Sequence, residues 1–460
     1  MNQPRPWNRV VVIGAGITGL AFARALSDFF SHIVVVERDR LPRGEDVRPG
    51  VPQARLPHGM LIRGAQALEE LFPGMSRLLR EDGAPSFDFG EGVMFHLKGR
   101  TPDRKHVGLE LQTYSRNFLE WRLRCQVEQQ PGTEFQDGLT VTGLTYDPAG
   151  RRVTGIHGNP GRPGRNKTHE QHPTLDADLV IDASGRTSKL PAWLADIGYT
   201  TPEPVLSHRG LEYVTCVYDC ADMLTDSCRM IYEISAPDTR GHGGIAIQLE
   251  DGRMLLTLIG PPDDPPSTSY PEFVAYAKTL SNPLLGEITS SLEPATPLRK
   301  CGLSSNRRID YHRMRWWPDR LLAVGDSYCA FNPVYAQGMT VGILEAVALR
   351  SALHSRAGQE TLDGFARPFQ RTLSRIVQAP WVMALTQDSM YQNPHEKNSL
   401  TNRVANWYMN KVFDRVPDDP NLYHAFLKIA HMMASPGVLA RPRVLATVLR
   451  PRGPARGSTL

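Results

Sequence analysis

The chain has 460 residues, of which 41% are hydrophobic and 22% charged, and its mean hydropathy is −0.33. This length exceeds what a single simple core holds, so two intertwined domains are expected. The sequence has no uninterrupted apolar run of about 20 residues, which excludes a membrane-spanning helix. The formal net charge of +4 is too small to favour a nucleic-acid partner.

Six cysteines are scattered along the chain, without a CxxC pair and without histidines at metal-ligand spacing. We therefore predict no metal site. Cys216, Cys220 and Cys228 lie close together in the sequence, and positions in strands or in the core are a better interpretation of them than a metal. Cysteine usage of this kind is typical of a reducing compartment, so the sequence favours a cytoplasmic protein.

The first predicted element is a short apolar strand, residues 10–13, followed by Gly14, Gly16 and Gly19 and then by an Ala- and Leu-rich helix over residues 20–26. Strand, glycine-rich turn and helix in this order are the fingerprint of a dinucleotide-binding unit. Gly14 permits the tight turn, Gly16 lets the backbone approach a pyrophosphate, and Gly19 lets the helix pack closely on the strand. The helix N-terminus would face the phosphate charge.

A second apolar run, residues 33–36, ends in Glu37, where the fingerprint has a ribose-binding carboxylate about 20 residues on. A carboxylate there accepts a ribose hydroxyl and repels a 2′-phosphate, so we expect it to disfavour NADP at this site. Glu37 and the adjacent Arg38 are therefore candidate ligands for the adenosine half of a dinucleotide.

The next part of the chain predicts mixed local structure. Residues 41–57 form a loop rich in Pro, Gly and Arg. The elements predicted after this loop are a helix at 58–72, two strands within 85–112, a helix at 118–127 and a strand–turn–strand at 138–157.

A further apolar strand, residues 178–181, ends in Asp182-Ala183-Ser184-Gly185. A carboxylate at a strand end, followed by small residues, suits close packing beside a pyrophosphate. A plain strand-ending turn explains this segment equally well when it is taken alone. Asp182 and Gly185 become candidate cofactor residues only together with the other motifs.

Residues 205–260 alternate apolar and polar side chains, which is typical of an antiparallel sheet with one face exposed to water. Two short helices near 271–280 and 282–292 and a strand near 296–302 should follow. From residue 366 onward the sequence predicts mostly helix.

A third motif begins with an apolar strand that closes at Gly325-Asp326. The Asp326 carboxylate can accept a hydrogen bond from a ribityl hydroxyl. After a turn at Pro333, a helix opening at Gly338-Met339 would aim free N–H groups and its positive dipole end at a flavin ring. The three motifs in this order predict a site that holds FAD along its whole length.

With the segment EDVRPGVPQARLPHGML, which follows Glu37, these motifs resemble those of the flavoprotein monooxygenases of the para-hydroxybenzoate hydroxylase and squalene epoxidase superfamily. The chain is most similar to the bacterial secondary-metabolite branch, which includes the flavin epoxidases of polyether antibiotic pathways. The resemblance extends over residues 8 to 450. It implies an α/β fold with a Rossmann-like FAD-binding domain of the GR2 type, an inserted antiparallel-sheet substrate domain and a C-terminal helical segment.

The implied FAD-binding domain is discontinuous in sequence. The expected boundaries are 1–84, 113–195 and 296–365 for the FAD-binding domain, 85–112 and 196–295 for the substrate domain, and 366–460 for the C-terminal helical segment.

The resemblance also implies further residues of the cofactor site. Arg116, in SRNFLEWRLR, matches the arginine that reaches FAD near its pyrophosphate, and Arg48, Val51 and Gln53 lie in the loop that approaches the flavin in this branch. With the motif residues, the predicted cofactor-binding set is Gly14, Gly16, Gly19, Glu37, Arg38, Arg48, Val51, Gln53, Arg116, Asp182, Gly185, Gly325, Asp326, Pro333, Gly338 and Met339.

The implied activity is insertion of one oxygen atom from O2, through a flavin C4a-hydroperoxide, into a large apolar secondary metabolite. The implied reaction is epoxidation of a polyene, polyketide or terpenoid alkene, or hydroxylation. The flavin performs this chemistry, so no catalytic acid or base is predicted. NAD(P)H is the expected reductant, either bound transiently or acting through a separate flavin reductase. The predicted substrate-lining residues are Tyr213, Tyr218, Met230, Tyr232 and Met254.

Two other activities on this fold stay open, because FAD-binding motifs report binding and not turnover. One is an alkene reductase of the geranylgeranyl reductase kind, and the other is a non-redox cyclase that keeps FAD as a structural element. The C-terminal segment has basic amphipathic stretches that either pack over the substrate pocket or lie on a membrane. We prefer the packing interpretation and expect no membrane association.

Overall fold

The computed structural model describes residues 5–160, 173–207, 210–219, 224, 228–233, 241–302, 305–389 and 400–450. Of the features predicted above, Cys220, other parts of the stretch 205–260, and residues 390–399 and 451–460 of the C-terminal segment lie outside the described residues. No helix within the described ranges is long and apolar enough to cross a membrane.

The described residues form twenty strands and thirteen α-helices. The strands are β1 (Trp7–Ile13), β2 (Phe30–Glu37), β3 (His58–Gly59), β4 (Ser86–Asp88), β5 (Val93–His96), β6 (Glu110–Tyr114), β7 (Thr133–Asp137), β8 (Leu139–Asp147), β9 (Arg152–Pro160), β10 (Thr174–Asp176), β11 (Leu179–Asp182), β12 (Val205–Leu206), β13 (Glu212–Tyr218), β14 (Met230–Glu233), β15 (Gly243–Gln248), β16 (Met254–Gly260), β17 (Arg299–Cys301), β18 (Arg307–Arg308), β19 (Leu321–Ala323) and β20 (Cys329–Ala330). The helices are α1 (Ile17–Leu26), α2 (Ile62–Leu71), α3 (Met75–Glu81), α4 (Phe89–Gly92), α5 (Arg116–Glu128), α6 (Leu190–Asp196), α7 (Tyr270–Ala277), α8 (Pro283–Ser291), α9 (Gln337–His354), α10 (Ala366–Ser389), α11 (Leu400–Arg415), α12 (Pro420–Ala430) and α13 (Pro442–Leu449).

A five-stranded parallel sheet carries the first motif, as expected for a Rossmann-like fold. Its order is β19–β11–β1–β2–β7, and Val12 in the central strand pairs with both Val35 and Ile181. The apolar run of β1 is buried because α1 packs on one face of the sheet and β8 and β9 pack on the other. The strands run in the same direction, so the carboxyl ends of β1, β11 and β19 bring the three motifs to one edge.

The second large sheet has six strands in the order β17–β13–β16–β15–β14–β5. Neighbouring strands are antiparallel except β14 and β5, which are parallel. The expectation of a water-exposed face is wrong, because all seven residues of β16 are buried. Helices α7 and α8 cover one face through a cluster that includes Leu256, Leu258 and Phe273, and the other face is the wall of a cavity.

The C-terminal helices close this cavity from the other side. Phe413 of α11 and Tyr423 and Phe426 of α12 belong to one buried cluster with Phe95 of β5. The ring centroids of Tyr423 and Phe426 each lie 6.1 Å from that of Phe95. The described part of the C-terminal segment therefore packs over the predicted substrate sheet.

Two local predictions differ from the structure. The helix expected at 58–72 begins only at Ile62, because His58 and Gly59 pair with β6 as a short strand. The region 85–112, expected to be two strands, contains the helical turn α4 between β4 and β5. Asp88 starts that turn by accepting the N–H of Gly90 at 2.9 Å.

Candidate functional site

Two adjoining cavities lie beside the two large sheets. The first, of about 720 Å³, follows the carboxyl edge of the parallel sheet and is lined by residues of all three motifs. The second, of about 210 Å³, lies between the six-stranded sheet and helices α10, α11 and α12. Their shared wall, called the junction below, consists of Pro57, Gly59, Pro333, Ala336 and Gln337.

The glycine turn after β1 leaves open space at Gly16. A side chain at Gly14, whose φ is +104°, would lie 2.5 Å from the carbonyl oxygen of Ala183, and one at Gly19 would overlap the Gly14 carbonyl oxygen. Those two glycines are required by the protein's own packing. At Gly16 the nearest atom to a side chain would be 3.7 Å away, on Arg116, so the protein itself does not require glycine there. The free space at the N-terminus of α1 therefore fits the pyrophosphate of a dinucleotide.

Glu37 lines the first cavity and belongs to a buried ion-pair cluster. Its Oε2 accepts the N–H of Ala15 at 2.9 Å and lies 3.0 Å from Nη1 of Arg48. Arg48 also donates from Nε and Nη2 to Oε1 of Glu120, at 2.9 and 2.6 Å. Glu37, the predicted ribose ligand, and Arg48, the arginine of the predicted flavin loop, are thus paired with each other. The sequence analysis missed Glu120, although its place four residues after Arg116 on one helix face was a signal.

Arg116, at the start of α5, lines the same cavity. Its Nη2 lies 3.4 Å from Oε2 of Glu120, and its Nε is buried without a partner among the described residues. His58 also lines this cavity and was not predicted. Its Nδ1 donates to the Leu56 carbonyl at 2.7 Å, and burial, with a smaller contribution from Arg116, lowers its pKa to about 3. His58 is therefore a neutral ring at physiological pH.

A hydrogen bond to its backbone holds the predicted flavin loop beside the first cavity. Arg38 donates from Nη2 to the carbonyl of Gly50 at 3.1 Å. This bond holds the loop against the end of β2, and Val51 and Gln53 line the cavity beside it. Arg38, Val51 and Gln53 thus lie together with the first motif.

Asp182 lies behind the cavity wall and does not line it. Its Oδ1 accepts the N–H and the hydroxyl of Ser184, at 3.0 and 2.5 Å, and its Oδ2 accepts the Ser188 hydroxyl at 2.6 Å. Burial raises the pKa of this carboxyl, and these hydrogen bonds act in the opposite direction. Asp182 therefore shapes the loop that brings Gly185 to the first cavity.

The third motif places Asp326 in the wall of the first cavity. Burial raises the pKa of its carboxyl, while the guanidinium group of Arg186 lowers it. Gly325, with φ of +55°, lies behind the wall, and a side chain there would approach Thr18 to 2.8 Å. The two residues of the motif thus differ, since Asp326 is available to a ligand and Gly325 makes room for α1.

Helix α9 begins at Gln337, one residue before the predicted start, after Ala336 in a left-handed conformation with φ of +51°. Pro333, Gly338 and Met339, the residues for which the resemblance implies a place beside the flavin, all line the first cavity. At Gly338 the nearest atom to a side chain would be 3.5 Å away, so a flat ring can approach the helix N-terminus closely.

Glu345 is a buried acid that the sequence analysis did not single out. It lies in α9, is fully buried, and its Oε2 accepts the N–H of Gly325 at 2.7 Å. Its Oε1 has no hydrogen-bond partner among the described residues. Burial raises its pKa to about 8, so the side chain is protonated at neutral pH. The available signal was a single acid inside the apolar run VGILEAVAL.

Three of the five predicted substrate residues, Tyr213, Met230 and Tyr232, line the second cavity. Tyr218 and Met254 do not, which corrects the predicted lining. They pair with each other in register and belong to the cluster under α7 and α8, on the opposite face of the sheet. Tyr218 lies five residues from Tyr213 on one strand, and an odd spacing places two side chains on opposite faces.

Comparison with known proteins gives the family of this chain. Residues 8–378 match a protein family described as "FAD binding domain". Protein Rv3254 of Mycobacterium tuberculosis (strain ATCC 25618 / H37Rv) is 31% identical over 458 residues, which cover 97% of this chain and 94% of that protein. The FAD-dependent monooxygenase cle3 of Aspergillus versicolor is 22% identical over 435 residues, which cover 89% of this chain and 81% of that protein.

A solved structure shares the fold. The crystal structure of a flavoprotein/dehydrogenase from Cytophaga hutchinsonii superposes with a TM-score of 0.67 at 15% identity, covering 96% of this chain and 95% of that one. The open space at Gly16, the unpartnered Nε of Arg116 and the accessible start of α9 lie along one cavity and fit an FAD molecule. The chain belongs to the protein family described as "FAD binding domain".

Proposed function

We propose that this protein inserts one oxygen atom from O2 into a large apolar molecule held in the second cavity, by epoxidation of an alkene or by hydroxylation. One observation carries the proposal, namely that the two cavities meet at the junction. The resemblance implies a flavin ring beside Pro333 and Gly338, and both residues line the first cavity at this same end. A molecule in the second cavity would therefore lie next to the reactive part of the cofactor.

The wall of the second cavity supports an apolar substrate. None of the described residues that line it is Asp, Glu, Lys or Arg. Side chains such as Phe95, Met230, Ile247 and Phe426 supply most of the surface. Since an unpaired charge in such surroundings is strongly disfavoured, a neutral polyene, polyketide or terpenoid fits this cavity better than a charged aromatic acid.

Bound FAD would supply the redox chemistry with O2, and the residues of the chain would bind, orient and keep the site dry. The space over Gly16 would take the pyrophosphate, and Arg116 would donate to it. The start of α9 would direct its N–H groups at the ring. Phe413 and Phe426 of the C-terminal helices would exclude water from the substrate side.

The proposed reductant is NAD(P)H, either bound transiently or acting through a separate flavin reductase. The sequence has a single glycine-rich dinucleotide turn, and FAD would occupy it. A tight second dinucleotide site is therefore not expected, and reduction should depend on a surface encounter.

The test starts with purified FAD-loaded protein, reduced without oxygen by NADPH, by NADH or by an added flavin reductase. Isotopically labelled O2 and a polyene such as squalene are then added, and products are analysed by mass spectrometry. We expect one labelled oxygen atom in the product, with Gly16→Val as a cofactor-free control. A product that gains two hydrogens would instead indicate a reductase, and an isomerised product formed without reductant would indicate a cyclase.

A further inference from the structure

We propose that the second cavity takes an elongated apolar molecule with one neutral oxygen acceptor, a carbonyl, ether or hydroxyl, and that the Nε2–H group of His431 binds this oxygen. The inference rests on the proposed function, because it names the substrate class of the same cavity and a residue that positions it. His431 follows α12 in the C-terminal segment, where the sequence analysis placed no site residue.

The hydrogen bonding of His431 determines where its proton lies. Its Nδ1 accepts the backbone N–H of Ile62 at 3.4 Å. A backbone amide can only donate, so the proton of the neutral ring is on Nε2. The residue is 6% exposed and lines the second cavity, and Nε2 has no hydrogen-bond partner among the residues that the structure describes. Its N–H group is therefore left for a ligand.

Several contacts hold His431 in place. The backbone carbonyl of His431 accepts the N–H of Arg63 at 3.3 Å. The imidazole ring packs against the Phe89 ring in a T-shaped contact, with a centroid distance of 5.1 Å and an interplanar angle of 79°. Burial lowers its pKa to about 4, so the ring is neutral at physiological pH. A neutral, fixed N–H donor in an apolar wall suits a neutral oxygen and supplies no positive charge to compensate for burying a carboxylate.

Most other polar groups of this wall are already used. The hydroxyl groups of Tyr213, Thr113 and Thr257 each donate to another group of the protein. The amide of Gln337 lies at the junction, and Gln387 comes from α10. His431 lines the second cavity but not the first, and it offers its N–H donor there.

The position of His431 also limits how a bound molecule would lie. Its partner Ile62 is three residues from Gly59, a junction residue, and three residues span at most about 11 Å. A molecule anchored by its oxygen at Nε2 would therefore have the junction within reach of its carbon chain. The anchor would thereby select which double bond meets the cofactor.

The test compares two probes on the FAD-loaded protein, geranylgeraniol and the hydrocarbon in which hydrogen replaces its hydroxyl group. Binding is measured by titration calorimetry. His431→Phe keeps a ring but removes the donor, so we expect about a tenfold loss of affinity for the alcohol and little change for the hydrocarbon. His431→Gln returns an N–H donor and should recover most of the loss. Thermal unfolding of both variants shows whether losing the Ile62 bond alters the fold.

Equal loss of affinity for both probes in His431→Phe would overturn the proposal, because His431 would then only shape the cavity. An unchanged affinity for the alcohol would overturn it as well. Failure of the proposed function gives a different result. If the wild-type protein discriminates between the probes through His431 but oxygenates neither, the anchor stands and the monooxygenase activity is refuted.

Discussion

Replacing Glu345 by glutamine should stabilise the protein, and the gain should grow as the pH rises. Burial raises the pKa of Glu345 from 4.5 to about 8. Between these two values the folded protein keeps a proton that the unfolded chain releases, which lowers stability by about 1.4 kcal/mol per pH unit. At pH 7 the cost is about 3 kcal/mol, and below pH 4.5 it vanishes because both states are protonated.

Glutamine preserves the local geometry and removes the titration. Its amide oxygen can accept the N–H of Gly325, which now lies 2.7 Å from Oε2 of Glu345. Its NH2 group takes the place of the protonated Oε1, which has no partner among the described residues. We therefore expect Glu345→Gln to match the wild type within about 1 kcal/mol at pH 5 and to exceed it by about 3 kcal/mol at pH 7.

The assay is urea unfolding of the FAD-loaded protein at a fixed FAD concentration, from pH 5 to pH 8. Glu233→Gln is a matched control, because the two oxygens of Glu233 accept the N–H groups of Ser281 and Asn282 at 2.9 Å each. An amide there would place one donor against another and lower stability. Parallel pH profiles for the wild type and Glu345→Gln would refute the reasoning.

Three further predictions concern the two cavities. Gly16→Val should abolish bound-flavin absorbance and unfold at about the same temperature as the FAD-free wild type. Gly19→Val should instead prevent folding, since its side chain overlaps backbone, and absorbance and circular dichroism separate the two. Met230→Ala should raise KM for an apolar substrate, while Met254→Ala, on the opposite face of the sheet, should lower the free energy of unfolding by about 2–5 kcal/mol and leave KM unchanged. Arg48→Ala should leave Glu37 buried without a cation and Glu120 with Arg116 alone, and cost about 3–5 kcal/mol in a urea titration.

Local patterns predicted the dinucleotide unit because all of its signals lie in one short segment. Strand β1, the glycine turn and α1 follow one another directly, and Gly14 and Gly19 are dictated by contacts within that unit and with Ala183. The start of α9 was predicted within one residue for the same reason. Its signal, a turn at Pro333 followed by Gly338, is local.

The prediction of a water-exposed face on the second sheet was wrong, because the alternation of apolar and polar residues does not reveal what covers a sheet. Helices α7 and α8 follow β16 in the chain and bury Tyr218 and Met254, and α11 and α12 return to the other face from far along the sequence. The register of Tyr218 opposite Met254 places both on one face. Counting the odd spacing from Tyr213 would have separated these residues from the cavity-lining set.

The missed site residues acquire their roles from contacts that are distant in sequence. Glu120 pairs with Arg48 across 72 positions, and His431 pairs with Ile62 across 369. No motif around His431 marks it, because its importance comes from the sheet and helices that surround it. Glu345 alone had a local signal, as an acid in an apolar helix.

A chain of hydrogen bonds beside the junction explains why the sequence motifs identified the cofactor but not the substrate. Tyr213 of the second sheet donates to Oδ1 of Asn332, in the loop before α9, and the N–H of Asn332 donates to Oδ1 of Asn306 at 2.7 Å. The amide of Asn306 in turn donates to Asp388 of α10 at 2.8 Å. These bonds join the cofactor loop to both walls of the second cavity. The shape of the substrate site therefore depends on several distant segments at once, and a change at Asn306 should reach both cavities.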